Sequence, residues 1–232
     1  MNRTFTPKWL PLFLVLLAAL GTCGCVFDGD KDVKYAWNAI EAREYDQAIR
    51  LSTRAVRFGG LAGEPLSSAL ECRATASMRM EQLGHALEDL DRIVILRPDY
   101  AGGYFLRGEV RLRQKDYDRA LADLNQGLKT ADPDGKSSSQ FLGKRYAHRG
   151  VAWLGKKDTE QALADFNHAV ALNPQQAETY YFRSFAYQRK KMLPEALADM
   201  EAAVKLHDSN IFSMPKGDWL YRLYELRGKV KQ

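Results

Sequence analysis

Small residues return in this 232-residue sequence at a fixed step of 34 positions. Four pairs show the step without interruption: Ala74 and Gly108, Ala86 and Ala120, Gly150 and Ser184, and Ala162 and Ala196. Elsewhere the step is 42 or 38, which is 34 with an insertion of eight or four residues. A fixed period of this length predicts stacked helical hairpins, each too small to bury its own apolar face.

The unit 101–134 shows why two small residues recur in each period. Its pattern predicts one helix over roughly 102–114 and a second over roughly 118–130. Gly108 and Ala120 would lie where these helices meet, because two antiparallel helices approach closely only where side chains are short. An isolated helix of this length is marginal in water, so the stability of the chain must come from the stacking of neighbouring hairpins.

This pattern resembles the tetratricopeptide repeat (TPR) family. The match is clearest in the unit 143–176, where it rests on Tyr146, Gly150, Trp153, Ala162, Phe166, Ala169 and Pro174. The resemblance implies an all-α fold, a right-handed α-solenoid without strands. The five predicted TPR hairpins are 29–62, 67–100, 101–134, 143–176 and 177–210. The region 211–232 is predicted to form a C-terminal capping helix, which would pack through Trp219, Leu220, Leu223 and Tyr224.

The first 24 residues are predicted to form an export signal. Arg3 and Lys8 give it a positive start, and an apolar stretch follows over 10–20. The next residues, Gly21-Thr22-Cys23-Gly24-Cys25, resemble the end of a bacterial lipoprotein signal, in which small residues precede a cysteine that becomes lipidated.

The lipoprotein resemblance implies a lipid on Cys25, with Cys23 as the alternative, and a short linker over 25–28. It also implies a periplasm-facing protein of the bacterial cell envelope, and Val26 after Cys25 favours the outer membrane. Two alternatives stay open. The 18 residues 10–27 carry no charge, which is long enough for an uncleaved membrane anchor, and the signal could also be cleaved without lipidation.

The charge of the chain gives no sign of a nucleic-acid partner. The formal net charge of +5 falls to +3 without Arg3 and Lys8, and the two signs are interspersed. No basic stripe interleaved with aromatic residues is present in the sequence.

No motif in the sequence points to catalysis, a cofactor or a metal. The segment 28–32 begins like a calcium loop, but Val33 stands where the loop needs glycine. Thr130 likewise stands where a phosphate-binding loop ending at 135–137 needs glycine. Cys72 is predicted to be a packed small residue. The four histidines occupy unrelated repeat positions: His85, His148, His168 and His207. The sequence therefore predicts a protein that is not an enzyme.

An arginine and an aspartate recur 16 residues apart. The pairs are Arg73 with Asp89, Arg107 with Asp123, Arg149 with Asp165, and Arg183 with Asp199. They favour an ion pair that ties the two helices of each hairpin, because the planar guanidinium can bond a carboxylate twice. The alternative is a charged ladder that partners grip.

In TPR proteins the first helices line a concave groove, through positions 2, 5, 9, 12 and 13 of each unit. Mapped onto this sequence, the predicted partner-binding residues are Trp37, Met78, Phe105, Leu112, Arg113, Val151, Tyr181, Phe185 and Arg189. Apolar, aromatic and arginine side chains are typical of interaction sites. TPR proteins that clamp a terminal carboxylate have asparagine at position 9, which this sequence lacks in every unit.

These features together predict a membrane-anchored scaffold or adaptor that binds segments of other proteins in its groove. The alternative function is a structural component that self-assembles in an envelope complex, for example in pilus or secretion assembly. The sequence therefore predicts protein partners and a membrane contact through the N-terminus. It leaves open whether the protein forms a homo-oligomer.

Overall fold

The computed structural model describes residues 28–131, 138–207 and 216–230 of the chain. The predicted signal peptide and both candidate lipidation cysteines lie outside the described residues. Within those residues, no helix combines the length and the apolar character needed to cross a membrane.

Eleven α-helices make up the described part of the chain. In chain order they are α1 (Gly29–Glu41), α2 (Tyr45–Phe58), α3 (Gly63–Arg79), α4 (Leu83–Leu96), α5 (Ala101–Arg113), α6 (Tyr117–Ala131), α7 (Ser139–Gly155), α8 (Thr159–Leu172), α9 (Ala177–Arg189), α10 (Leu193–Leu206) and α11 (Lys216–Val230). Successive helices pair into five hairpins that stack side by side, and α11 packs on the last one. No strand occurs among these residues. The predicted fold class, an all-helical solenoid of hairpins, is confirmed.

The two insertions lengthen first helices. The first helices α1, α5 and α9 have 13 residues each, whereas α3 and α7 have 17. Four residues are about one helical turn, so the added turn keeps the buried face in phase with that of the other units. As a result α3 begins at Gly63 and α7 begins at Ser139, each four residues before the predicted start of its unit.

The recurring small residues lie at the helix contacts, as predicted. Ala120 and Ala162 are completely buried on second helices. A side chain on Gly127 would stand 2.6 Å from the ring of Phe105, and one on Gly150 would stand 2.7 Å from the ring of Phe166. Real carbon atoms do not approach so closely, so these glycines make room for the aromatic rings that fill the core.

Every hairpin turns through one residue with a positive φ. This residue is always the fifteenth of its unit, and it is Arg43, Glu81, Lys115, Lys157 or Lys191, with φ between 57° and 67°. In the third hairpin Lys115 N–H donates to the carbonyl of Leu112, and Asp116 N–H donates to that of Arg111. The same two bonds recur in the other hairpins, and they close the first helix in a Schellman motif. A non-glycine residue in this conformation costs about 1–2 kcal/mol, so the tertiary contacts must hold it.

The four predicted arginine–aspartate pairs are bidentate ion pairs inside the hairpins, which confirms the structural interpretation. In each, Nε and Nη2 of the arginine donate to the carboxylate at 2.7–3.0 Å. The aspartates are buried, whereas the arginine side chains keep 14–24% of their surface exposed. Asp32 and Arg54 form a fifth pair with the two helices exchanged, which the 16-residue spacing did not reveal.

Each of the four arginines at the seventh position of a unit also bonds the preceding hairpin. The third donor nitrogen, Nη1, reaches the twenty-fifth residue of the preceding unit at 2.8–3.2 Å. The bonds run from Arg73 to Thr53, from Arg107 to Asp91, from Arg149 to Asn125, and from Arg183 to Asn167. One side chain therefore fixes both the hairpin and its stacking on its neighbour.

The C-terminal helix α11 covers the end of the last hairpin. Trp219 and Leu223 are buried there, and the indole of Trp219 stacks on the ring of Tyr181 at 4.4 Å. The sequence placed Tyr224 in this contact, but Tyr224 is 62% exposed and Leu226 is buried instead. The reason is geometric, because 219, 223 and 226 follow one face of a helix.

Removal of one of these four arginines should lower the free energy of unfolding. Arg149→Ala leaves the buried carboxylate of Asp165 without its partner and breaks the bond to Asn125. Because the arginine is only partly buried, we expect a loss of about 2 kcal/mol, seen as a fall of about 4–8 °C in melting temperature. The control is Arg119→Ala, which removes the same charge from a side chain that is 74% exposed and should leave the melting temperature almost unchanged. An unchanged melting temperature for Arg149→Ala would refute the structural role.

Candidate partner-binding groove

Three of the nine predicted groove residues are buried in the core. Phe105 has no exposed surface, and its ring lies between Gly127 and the edge of Phe141. Met78 and Tyr181 are each 4% exposed. These side chains contribute to packing between helices and present almost no surface to the groove.

Trp37 lies apart from the other predicted groove residues. It is half-buried on α1, and its indole N–H donates to the hydroxyl of Ser68 on α3 at 3.2 Å. Its polar group is therefore used to join the first two hairpins.

The remaining five predicted residues line one open cavity of about 590 Å³. Leu112 and Arg113 come from α5, Val151 from α7, and Phe185 and Arg189 from α9. Three successive first helices therefore face the same space. We call this cavity the apolar half of the groove.

The prediction missed several residues of this half. Phe182, Tyr117, Lys115 and Gln188 also line it, together with Leu154, whose twelfth position the family resemblance does assign to the groove. Phe182 occupies the sixth position of its unit, outside the positions that the family resemblance assigns to the groove. Gln188 shares the twelfth position with Leu112 and Leu154, so the repeat pattern itself could have indicated it.

A second cavity, of about 490 Å³, continues the groove toward the N-terminal ends of α7 and α9. It shares Arg113, Val151 and Phe182 with the apolar half, and except for Ala147 its other lining residues are charged or polar. Its further lining residues are Arg79, Glu109, Gln140, Lys144, Ala147, His148, Asn173, Gln175, Gln176 and Glu178. We call this cavity the polar half of the groove.

Arg113 and Arg189 at the rim are anchored on the ends of neighbouring first helices. Nη1 of Arg113 donates to the backbone carbonyl of Met78 at 3.0 Å, and Nη1 of Arg189 donates to that of Leu154. Both acceptors lie 35 residues before the arginine, so the contact is itself a repeat. A cation at the C-terminus of a helix is favoured by the helix dipole, so these bonds hold the guanidinium groups at the rim.

The charges in the polar half influence one another strongly. Burial lowers the pKa of His148 to about 4, and the cations Lys144, Arg145 and Arg113 act in the same direction, against Glu109. Burial raises the pKa of Glu109, but the positive side chains around it outweigh this effect and lower the pKa overall. Burial also raises the pKa of Glu178. Glu109 is therefore held as a carboxylate by its cationic neighbours.

The described residues give no sign of a metal centre. No group of three or more His, Cys, Asp or Glu side chains among them could hold a metal ion. Burial raises the pKa of the Cys72 thiol to about 12, so this cysteine stays protonated and unreactive.

No family model matches the sequence, and no curated protein matches it. Several solved structures, however, are similar to this chain in fold. MamA residues 41 to the end, from Desulfovibrio magneticus RS-1, covers 78% of this chain and 97% of its own, with 21% identity and a TM-score of 0.63. TTC0263, a thermophilic TPR protein in Thermus thermophilus, covers 85% of this chain and 98% of its own, with 19% identity and a TM-score of 0.64. The APC/C hetero-tetramer Cut9-Hcn1 covers 84% of this chain and 36% of its own, with 20% identity and a TM-score of 0.70. At these identities the likeness shows the fold, which is that of a TPR protein.

The burial of His148 should make the folded protein sensitive to mild acid. The pKa of His148 is about 6.5 in the unfolded chain and about 4 in the folded protein, so between these values only the unfolded chain binds the proton. The free energy of unfolding is therefore highest above pH 6.5 and falls as the pH is lowered toward 4. We expect wild type to lose about 1–2 kcal/mol more than His148→Gln between pH 7 and pH 5. Thermal melts across this range, and an NMR titration with an imidazole pKa of about 4, measure the effect. Equal pH slopes for the two proteins would contradict it.

Proposed function

We propose that this protein is a scaffold that binds a segment of a partner protein in the groove formed by α5, α7 and α9. The supporting observation is the apolar half, in which half-buried Leu112, Val151, Phe182 and Phe185 surround an open cavity of about 590 Å³. A cavity of this size, apolar in its floor and polar at its rim, is typical of sites that bury a ligand side chain. The TPR fold supports the same role, because its hairpins stack into extended concave surfaces.

A scaffold of this kind positions its partner and carries out no reaction. The groove contains neither a nucleophile with an adjacent base nor a set of metal ligands among the described residues. Its one histidine, His148, has a pKa of about 4 and is neutral at neutral pH, which leaves it a poor proton acceptor there.

The groove proposal is tested with the full-length protein in its native host. Leu112→Ser combined with Val151→Ser removes apolar surface from the floor without adding charge. We expect partner proteins captured by crosslinking in intact cells, and quantified by mass spectrometry, to fall at least tenfold. Thermal melting of the purified variant checks that it remains folded.

The matched control removes apolar surface outside the groove. Tyr221→Ser combined with Tyr224→Ser changes two side chains on α11 that are 72% and 62% exposed. We expect this variant to retain the crosslinked partners. Loss of partners in the control alone would instead favour self-assembly through α11, and full retention in the groove variant would refute the groove as the binding site.

We further propose that the N-terminus anchors this scaffold in the bacterial cell envelope through a lipid on Cys25, facing the periplasm. The apolar stretch over 10–20 and the small residues before Cys25 support this proposal. The first described residue, Asp28, caps α1 by accepting from Lys31 N–H at 3.1 Å, so the repeats would begin only three residues after the lipid.

Metabolic labelling with palmitate tests the anchor. We expect wild type and Cys23→Ser to be labelled and Cys25→Ser to lose the label, because only Cys25 would carry the acyl chains. The reverse result would assign the lipid to Cys23. Absence of label in wild type, or label that survives loss of both cysteines, would overturn lipidation.

A further inference from the structure

The charge of the groove is one-sided. Five cationic side chains and two acidic ones line its two halves, which gives a formal charge of +3 on this surface, against +5 for the whole chain. The cations are Arg79, Arg113, Lys115, Lys144 and Arg189, and the acids are Glu109 and Glu178. The apolar half contains three of the cations and no acid.

Most of these cations have no carboxylate of their own. Arg113 is compensated, because it donates to Glu109 at 3.1 Å and to Glu81 at 3.4 Å. Arg189, Lys115 and Arg79, by contrast, form no ion pair within the part of the chain that the structure describes. Lys144 forms no direct ion pair there either, but its charge acts on the carboxylates of Glu109 and Glu178 in the same half. Uncompensated positive charge beside an apolar surface raises the local concentration of anionic groups.

Arg189 is the cation best prepared for a ligand. Its Nη1 is held by the carbonyl of Leu154 at the rim of the apolar half, and its Nε and Nη2 make no bond to any described residue. A guanidinium that is already oriented loses less freedom when it binds a carboxylate. Arg222 of α11 adds a further positive charge nearby, stacked on the ring of Phe185 at 5.3 Å.

We infer that the partner segment carries a large apolar side chain with aspartate or glutamate residues on both sides of it. The apolar side chain enters the space between Val151, Phe182 and Phe185. One flanking carboxylate pairs with Arg189 and Lys115, and the other pairs with Lys144 in the polar half. This inference rests on the proposed function and specifies the chemistry of its ligand.

The recognised carboxylates belong to side chains within a segment, and a free chain end is not required. The cations come from α3, α5, α7, α9 and the turn after α5, and both halves of the groove contain some of them. Charges spaced in this way match several acidic side chains along a chain better than they match a single terminal carboxylate.

The ligand class is tested on the full-length protein in detergent micelles. A display library of random twelve-residue segments should be enriched in sequences with Leu, Phe or Trp among Asp and Glu. Three labelled peptides, blocked at both ends, then measure affinity by fluorescence anisotropy. The first peptide has a central Leu-Phe pair between acidic residues. The second has the same pair between lysines, and the third has a Ser-Ser pair between acidic residues.

We expect the acidic apolar peptide to bind at least tenfold more tightly than either of the others, and its affinity to fall as salt is raised from 50 to 500 mM. Arg189→Gln should weaken this peptide about tenfold. The control Arg119→Gln removes an equal charge from an exposed site on α6 and should leave the affinity unchanged. Preference for the lysine peptide, no effect of Arg189→Gln, or displacement by single-stranded RNA would overturn the inference.

The two proposals fail in distinguishable ways. One outcome is that the selected segments bind wild type, fail to bind the Leu112→Ser and Val151→Ser variant, and have neutral or basic flanks. This outcome would refute the acidic ligand but would support the groove as the binding site. If no selected segment depends on the groove residues, both proposals fail.

Discussion

The arginine at the seventh position of four of the five repeats bonds both its own hairpin and the preceding one. Its guanidinium bonds the aspartate of its own second helix twice, and its remaining nitrogen bonds the second helix of the preceding hairpin. A hairpin of two 13- to 17-residue helices is not stable alone, so its apolar face must be covered by a neighbour in one defined register. The directional bonds of the arginine supply that register, because apolar contacts alone are not directional.

This arrangement separates the structural and the binding surfaces of each first helix. Positions 7 and 9 of a unit are about 200° apart around a helix, so the arginine at position 7 and the groove residue at position 9 lie on opposite faces. Arg149 is thus occupied with Asp165 and Asn125, whereas Val151 two residues later faces the open cavity. A groove residue such as Val151 can therefore vary without loss of the bonds that the arginine makes to its own hairpin and to the preceding one.

The structure brings five of the nine predicted groove residues to one open cavity and buries three others in the core. The ninth-position residues Val151 and Phe185 are half-exposed in the groove, but the fifth-position residues Phe105 and Tyr181 are buried. The next element along the chain decides this difference. Phe141 of α7 covers Phe105, and Trp219 of α11 covers Tyr181. A repeat pattern describes one hairpin, and it contains no information about which side chain of the following hairpin lies against it.

The sequence by itself determined the all-helical fold, the stacking of hairpins and the arginine–aspartate pairs, because each depends on spacings of small or charged residues that recur with the repeat. It also located the insertions, although only the structure showed that they add one helical turn to α3 and α7. The tertiary structure alone decided which apolar side chains remain open and how Arg113 and Arg189 are anchored on neighbouring helices. Exposure and these anchoring bonds are properties of contacts between units, and those contacts exist only once the hairpins have stacked.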